Sequence, residues 1–319
     1  MSVSIGVIGA GVMGAEHVRR LATEVEGADV AAVADTDLAR ASAAASAAGG
    51  RAHADPIALI RSDDVDAVVI ASSDATHADF ALACLAEGKP VLCEKPLATT
   101  AEASLLVAEA EAASGRRLVQ VGFMRRFDPA YTAMKRELDD GRLGDTLLVH
   151  CVHRNASVPP TYTSEMLITS SLTHEIDVVR WLMGEEIVKA TVLAPRSSSR
   201  AAGIRDPQLV ILETEGGVLV DVEVFVNAGY GYDIRCELVG EVGTASLPEA
   251  VAPGFVERFA DAYQIELQGW VDAVADGGPT GPSAWDGYAA NAVADACLAS
   301  LSEGRPVEVR LAERMELYA

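Results

Sequence analysis

The strongest constraint on this chain lies within its first fifteen residues. A short apolar run, Val3–Ile8, leads directly into Gly9-Ala10-Gly11-Val12-Met13-Gly14, and the helix-compatible stretch Ala15–Glu24 follows. The G-x-G-x-x-G spacing is common and says little alone. Between a strand and a helix it describes a turn built to approach a phosphate. Gly9 permits the tight turn, Gly11 lets the backbone close on a pyrophosphate, and Gly14 lets helix and strand pack together. The N-terminus of the helix that follows has unpaired N–H groups and a partial positive charge that suit phosphate oxygens, and Val12 and Met13 count with the glycines as cofactor-binding. Asp35 ends a second apolar run, Val30–Ala34, 21 positions after Gly14. A carboxylate there accepts hydrogen bonds from ribose hydroxyls and repels a 2′-phosphate. The run Asp35-Thr36-Asp37 brings no adjacent arginine, so the reading is NAD rather than NADP.

The alternation continues. Val65–Ala71, Pro90–Cys93 and Leu118–Gly122 are further apolar runs, separated by helix-prone, alanine-rich stretches such as Ala39–Ala48, Asp79–Glu87 and Thr100–Ser114. That order predicts a parallel sheet with helices on both faces. After Gly122 the pattern changes. Strands are expected at Leu147–His153, Gln208–Thr214, Val218–Val226, Asp233–Val239 and Thr244–Leu247, with a hairpin turn at Glu215-Gly216-Gly217. Asp221-Val222-Glu223-Val224 alternates polar and apolar, as a half-exposed antiparallel strand does. Helices are expected at Tyr263–Asp276 and Asp286–Glu303, then a short run Val307–Leu311. The fold class is α/β. A Rossmann doubly wound parallel sheet spans 1–122. A C-terminal α+β domain, 123–319, carries a large, mostly antiparallel open sheet, and its last helix is expected to pack back toward the first domain.

Composition narrows the function. The 319 residues suffice for two cores, and a net charge of −22 argues against nucleic acid and anionic membranes as partners. The acidity reads as a solubilising surface; attraction to a cationic substrate such as an amino sugar is the sharper alternative. Five cysteines, Cys84, Cys93, Cys151, Cys236 and Cys297, are odd in number and lack metal-ligand spacing. No disulfide framework and no metal site are expected, and reduced thiols suit a cytoplasmic protein. The start MSVSIGVIGAG reads as a strand and not a leader, and no stretch approaches the roughly 18–20 apolar residues of a membrane helix.

Glu94-Lys95-Pro96 closes the run Pro90–Cys93. A lysine at the C-terminal end of a strand in an open α/β sheet lies on the ligand side, although an isolated Lys-Pro reads equally as a surface turn. With this signature the chain resembles the glucose–fructose oxidoreductase and inositol dehydrogenase family (Gfo/Idh/MocA). Further motifs are similar to its inositol dehydrogenase branch, in the expected order. They are Gly122-Phe123-Met124-Arg125-Arg126-Phe127-Asp128, His153-Arg154-Asn155, His174-Glu175-Ile176-Asp177, Tyr230-Gly231-Tyr232-Asp233 and Trp285-Asp286-Gly287-Tyr288. The resemblance covers essentially the whole chain.

It implies a dehydrogenase moving a hydride between nicotinamide and a ring CH–OH of a polyol, cyclitol or sugar, with roles for matching positions. Lys95 would sit beside the reacting hydroxyl and the nicotinamide. His174 would be the general base in oxidation, a task that suits an imidazole's ordinary pKa. Arg125, His153, Asn155 and Tyr232 would bind ring hydroxyls, with Met124 packed near the ring. Ser72, Thr76, His77, Glu94 and Thr36 would join the cofactor site. From spacing alone, His174 opens an amphipathic stretch with Ile176, Val179, Leu182 and Met183 on one side, a setting where structural histidines are also common. Arg125 and Arg126 read as substrate ligands, as solvated, or as paired to Asp128, and the resemblance favours Arg125 for the substrate.

One position departs from the branch, which carries an aspartate four residues before the histidine. Here it is Ser170, followed by Ser171. Helical spacing would put residue 170 on the face of His174, where a serine hydrogen-bonds but brings no charge. The leading expectation is an inositol 2-dehydrogenase-like enzyme with altered range. The alternatives are a sugar or amino-sugar dehydrogenase and a non-catalytic NAD-binding regulator; retention of Lys95 and His174 speaks against the last. The open sheet face implies a dimer or tetramer.

Overall fold

A computed structural model describes residues 2–201 and 203–319. The chain divides into two compact units. The first comprises 1–123, 263–289 and 313–319, and the second 124–262 and 290–312. Among the described residues no helix is long and apolar enough to cross a membrane.

The first unit follows the predicted alternation. In chain order it runs β1 (Val3–Ile8), α1 (Val12–Thr23), β2 (Ala28–Ala34), α2 (Leu38–Ala48), β3 (Arg51–His53), α3 (Pro56–Ile60), β4 (Ala67–Ile70), α4 (His77–Ala86), β5 (Val91–Glu94), α5 (Ala101–Ser114) and β6 (Val119–Gly122). The sheet is wholly parallel, in the order β3-β2-β1-β4-β5-β6. Sequence order reverses between β1 and β4, and in such sheets the crevice beyond the strands' C-terminal ends at that point takes ligands. The core holds Val3, Ile5, Val7, Val18, Leu21, Val30 and Val33, joined by Leu267, Trp270 and Val271. Strand β3 escaped the sequence reading because Arg51-Ala52-His53 is a three-residue edge with no apolar run.

Helix ends are informative. Asp37, Asp55 and Thr100 cap α2, α3 and α5 through their side-chain oxygens. Helix α1 starts at Gly11, which has no side chain to offer, so its first N–H groups keep their capacity for a ligand.

The second unit adds α6 (Pro129–Asp139), β7 (Thr146–Arg154), α7 (Thr173–Met183), β8 (Ile187–Leu193), β9 (Gln208–Thr214), β10 (Leu219–Phe225), β11 (Tyr232–Gly240), β12 (Thr244–Ser246), β13 (Val251–Ala252) and α8 (Phe255–Arg258). Then come α9 (Ala260–Ala275), which enters the first unit at Tyr263, α10 (Ala284–Glu303) and β14 (Val307–Glu308). The sheet order is β12-β11-β7-β10-β9-β8-β14, with β13 also on β11. It is antiparallel except between β7 and β10, which run parallel. Alternation along β10 is as expected: Val220, Val222 and Val224 are buried, while Leu219, Asp221 and Glu223 face outward. Strand β8, absent from the sequence reading, pairs with β9. Lys189 and Thr191 break its apolar run, and only the pairing settles it as a strand.

Candidate active site

Two groups of side chains are candidates for the chemistry, one in each unit. In the first unit a cavity of about 340 Å³ is lined by Gly9, Gly11, Asp35, Thr36, Ser72 and Thr76, with Arg40 also contributing. The glycines there are obligatory for separate reasons. Gly9 has φ +97°, and a Cβ would stand 2.3 Å from the Ala71 carbonyl oxygen. A Cβ on Gly14 would fall 1.9 Å from the Gly9 oxygen, so α1 can approach β1 only without one. Around Gly11 nothing lies within 4 Å, which leaves room for a ligand where a side chain would project. Val12 is exposed and Met13 half-buried on the first turn of α1.

Asp35 is held by two backbone N–H groups and by Arg40. Its Oδ2 accepts from the Ala10 N–H at 2.7 Å and its Oδ1 from the Asp37 N–H at 2.7 Å and Arg40 Nη2 at 3.0 Å. Burial works to raise its pKa, but these donors outweigh it and keep the carboxyl below the usual range. No cation adjoins Asp35 in the sequence, but the first turn of α2 brings Arg40 back to it from five residues on. Ser72 Oγ and Thr76 Oγ1 lie 2.7 Å apart.

Strand β5 ends at Glu94, and half-buried Lys95 follows. Glu94 is 7% exposed. Its Oε1 lies 2.8 Å from His17 Nε2, and its Oε2 accepts the Lys95 N–H at 3.2 Å. His77, assigned to the cofactor from the sequence, is 1% exposed; its Nδ1 lies 2.8 Å from the Pro96 oxygen and its Nε2 3.2 Å from the Ser72 oxygen. Its ring therefore ties two loops together.

In the second unit Arg125, His153 and Glu175 form a buried cluster. Arg125 pairs with Glu175 Oε1, and His153 Nδ1 lies 3.0 Å from each Glu175 oxygen. The His153 ring is 6.3 Å from that of His174 and 5.8 Å from that of Tyr232, centroid to centroid. Phe259 completes the wall, 6.3 Å from the Tyr232 ring and 5.5 Å from the Arg125 guanidinium. Burial pushes the Tyr232 phenol up to about 12, against the pull of Arg125, so it stays a neutral hydroxyl. Burial also opposes charge on Glu175, but Arg125 and His153 prevail and hold its pKa below the ordinary range. Met124 is buried. The Asn155 side-chain oxygen is buried with no hydrogen-bond partner among the described residues, as an acceptor awaiting a donor would be.

Three expectations need correction. Neither Arg125 nor Arg126 pairs with Asp128. Arg126 Nε donates to Asp177 Oδ2 at 2.9 Å, while Asp128 caps α6 and accepts from Arg258 at 2.9 Å. Helix α7 is not amphipathic: Glu175, Asp177 and Arg180 are at most 5% exposed, because Arg125, Arg126 and Glu186 neutralise them. And residues 167–172 form a π-helical turn, so Ser170 reaches α7 through a widened turn and not through α-helical spacing. Ser171 Oγ lies 2.8 Å from Tyr162 Oη. Glu175 stands in the His174-Glu175-Ile176-Asp177 motif but has no role in the sequence reading, although its place beside His174 was the available signal.

No group of three or more His, Cys, Asp or Glu among the described residues is arranged to hold a metal ion. What the first unit offers fits a dinucleotide: an uncapped helix start, a glycine with open space before it, and a carboxylate at the end of β2.

Comparison with known proteins gives consistent matches. Residues 3–123 match the model of an oxidoreductase family with an NAD-binding Rossmann fold, 131–246 a GFO/IDH/MocA C-terminal domain, and 248–309 an oxidoreductase-family C-terminal α/β domain. Inositol 2-dehydrogenase 1 of Saccharopolyspora erythraea is 57% identical, over 100% of this chain and 99% of that protein. The crystal structure of myo-inositol dehydrogenase from Lactobacillus casei with NAD(H) and myo-inositol is 37% identical, with a TM-score of 0.96 and 100% of each chain covered. Scyllo-inositol dehydrogenase from the same organism, with NAD(H) and scyllo-inositol, is 25% identical with a TM-score of 0.90, covering 97% of this chain and 99% of that one.

Proposed function

The chain belongs to the Gfo/Idh/MocA oxidoreductase family, and on that premise we propose that it oxidises a ring CH–OH of a cyclitol with NAD, myo-inositol to its 2-keto form being the leading reaction. The observation that carries this is the whole-chain match to a dehydrogenase structure holding NAD(H) and myo-inositol.

When bound, NAD supplies the nicotinamide carbon that accepts the hydride. The α1 N-terminus and Gly11 would hold the pyrophosphate, and Asp35 the ribose hydroxyls. Ring hydroxyls of the substrate would meet His153, Asn155 and Tyr232. His174 takes the hydroxyl proton as the C–H bond breaks and the C=O bond forms; in reduction it returns that proton. Lys95 steadies the charge that develops on the oxygen. Arg125 acts indirectly, since its guanidinium is committed to Glu175.

The test is NADH formation across cyclitols, aldoses and amino sugars, with NAD and with NADP. Activity strongest on an inositol, and lost in Lys95→Met and His174→Gln, supports the reading. Tight NAD binding with no product from any polyol sinks it and favours a regulator. A second reading, a sugar or amino-sugar dehydrogenase, rests on Ser170, which stands in the π-helical turn before α7 where the resemblance to the inositol branch implies an aspartate.

A dimer or tetramer is proposed from the outer sheet face, where Leu148, Leu193 and Leu219 are 38%, 51% and 45% exposed. Light scattering checks it. Five unpaired, buried cysteines suit a reducing cytoplasm.

A further inference from the structure

Two features of the first unit meet at Glu94 without being used in the chemistry above. Helix α1 starts the phosphate site at Gly11 and, less than two turns later, carries His17, which is 0% exposed. Its Nε2 lies 2.8 Å from Glu94 Oε1. Its Nδ1 is buried with no hydrogen-bond partner among the described residues. A carboxylate only accepts, so the imidazole carries its proton on Nε2 and donates it to Glu94. The other carboxylate oxygen accepts the backbone N–H of Lys95 at 3.2 Å. Gly122, on β6, is pressed so close that a Cβ there would stand 3.1 Å from Glu94 Oε2 and 3.2 Å from its Cα. The carboxylate is therefore fixed from α1, from β6 and from the turn it helps to shape.

We propose that His17 is a positioning residue for Lys95: by donating to Glu94 it fixes the carboxylate that orients the Lys95 backbone and keeps a negative charge beside that lysine. The phosphate-binding helix and the lysine turn are thereby joined through one buried hydrogen bond. The inference rests on Lys95 taking part in the reaction.

The titratable groups around Glu94 agree with this arrangement. They are His17 on α1, Lys95 in the same turn and His77 on α4, with the neutral Cys93 thiol adjoining. Burial alone would raise the Glu94 pKa, but the hydrogen bond from His17 and the fields of His17, Lys95 and His77 hold it below the ordinary range.

A pair of variants with the same chemistry and different reach tests the idea. The amide nitrogen of His17→Gln stands about where Nε2 does and can still donate to Glu94. That of His17→Asn stands where Nδ1 does and cannot reach it. His17→Asn is expected to lower kcat about 10- to 100-fold with little change in NAD affinity, as a small misplacement of a reacting group does. A buried carboxylate without its donor favours the neutral form, so Lys95 loses a neighbouring anion and gives up its proton more easily. The alkaline limb of the kcat–pH profile should then move to lower pH. His17→Gln should restore both kcat and the limb.

Parental kcat and pH profile in His17→Asn overturn the proposal. So does equal impairment of both variants with unmoved profiles, which marks His17 as packing only. If neither variant folds, Glu94→Gln must show the same alkaline shift, and a parental profile there overturns it as well. Lys95→Met with parental activity would end the lysine's own role, whatever the His17 variants show.

Discussion

The two oxygens of Glu175 lie 3.0 Å from Nδ1 of His153, with both side chains almost wholly buried, at 1% and 3% exposure. The ionised carboxylate can only accept, so Nδ1 carries a proton and donates it to Glu175. Arg125 Nη2, 3.2 Å from the same nitrogen, is then a neighbour and not a donor to it; the hydrogen bond to Glu175 comes from Arg125 Nη1. A ring hydroxyl meeting His153 would therefore meet it at Nε2, an orientation set by Glu175.

Glu175→Gln tests that orientation. The variant leaves the Arg125 guanidinium buried without its anion, which costs about 3–5 kcal/mol of stability. It also lets the amide present either end to Nδ1, so that nitrogen is no longer held as a donor. The KM for the cyclitol should rise while NAD affinity holds. Urea unfolding, steady-state kinetics and NAD titration read the three quantities separately, and an unchanged KM would remove Glu175 from substrate recognition.

Ser170→Asp should raise turnover with myo-inositol. A carboxylate there would bind a substrate hydroxyl and favour the protonated imidazole of His174. One such contact, at roughly 2–4 kcal/mol, corresponds to roughly 30- to 1000-fold in rate. Steady-state assays of the two proteins decide it, and equal or lower activity in the variant refutes it.

The two inner glycines of the phosphate turn should separate stability from binding. At Gly11 an added methyl meets no atom within 4 Å and the backbone φ is −70°, so Gly11→Ala should fold with a parental Tm. Its methyl would occupy the place of the pyrophosphate, and NAD affinity should fall at least about tenfold, which is 1.4 kcal/mol. Gly14→Ala puts a methyl 1.9 Å from the Gly9 oxygen and should lose both NAD binding and thermal stability.

Cofactor choice is expected to depend on the balance of Asp35 and Arg40. Asp35→Ala removes the carboxylate that repels a 2′-phosphate and frees the Arg40 guanidinium, now 3.0 Å from Oδ1, to pair with it. Like-charge contact of this kind costs several kcal/mol, so the kcat/KM ratio of NADP to NAD should rise about 100-fold or more. Arg40→Ala in the same background should reverse most of the gain.

Acid stability follows from the depressed carboxyls. Asp35, Glu94 and Glu175 all have folded pKa values below their unfolded ones. Their contribution is thus complete above the unfolded range of about 4–4.5 and is lost as pH falls through the lower, folded values. Tm should stay level from neutrality to about pH 5 and fall below about pH 4. Glu175→Gln should start from a lower Tm and lose less of it over that interval. An equal slope in the variant would show that Glu175 takes no part in the acid transition.

Much of this molecule was legible in local patterns. A strand, a glycine turn and a helix are neighbours in the chain, so Val3–Gly14 announced the dinucleotide cradle, and the acid at Asp35 followed at its usual distance. Alternation along Asp221–Val224 reported a sheet with one covered face, because side chains on a strand point to opposite sides. Motif order named the branch. The parallel contact of β7 with β10 was not legible, since strands more than sixty residues apart choose neighbours by how a whole sheet closes over its core.

By itself, then, the chain order determined the fold class and the cofactor, which rest on periodicity and short spacing, and the family, which rests on the resemblance of its motifs. Tertiary structure decided how the charges are spent. Arg125 meets Glu175 across 50 positions and His17 meets Glu94 across 77, and no local pattern pairs them. The reason is physical: burying an ion is costly unless a counter-charge arrives with it, and where that counter-charge comes from is settled only when separate elements pack.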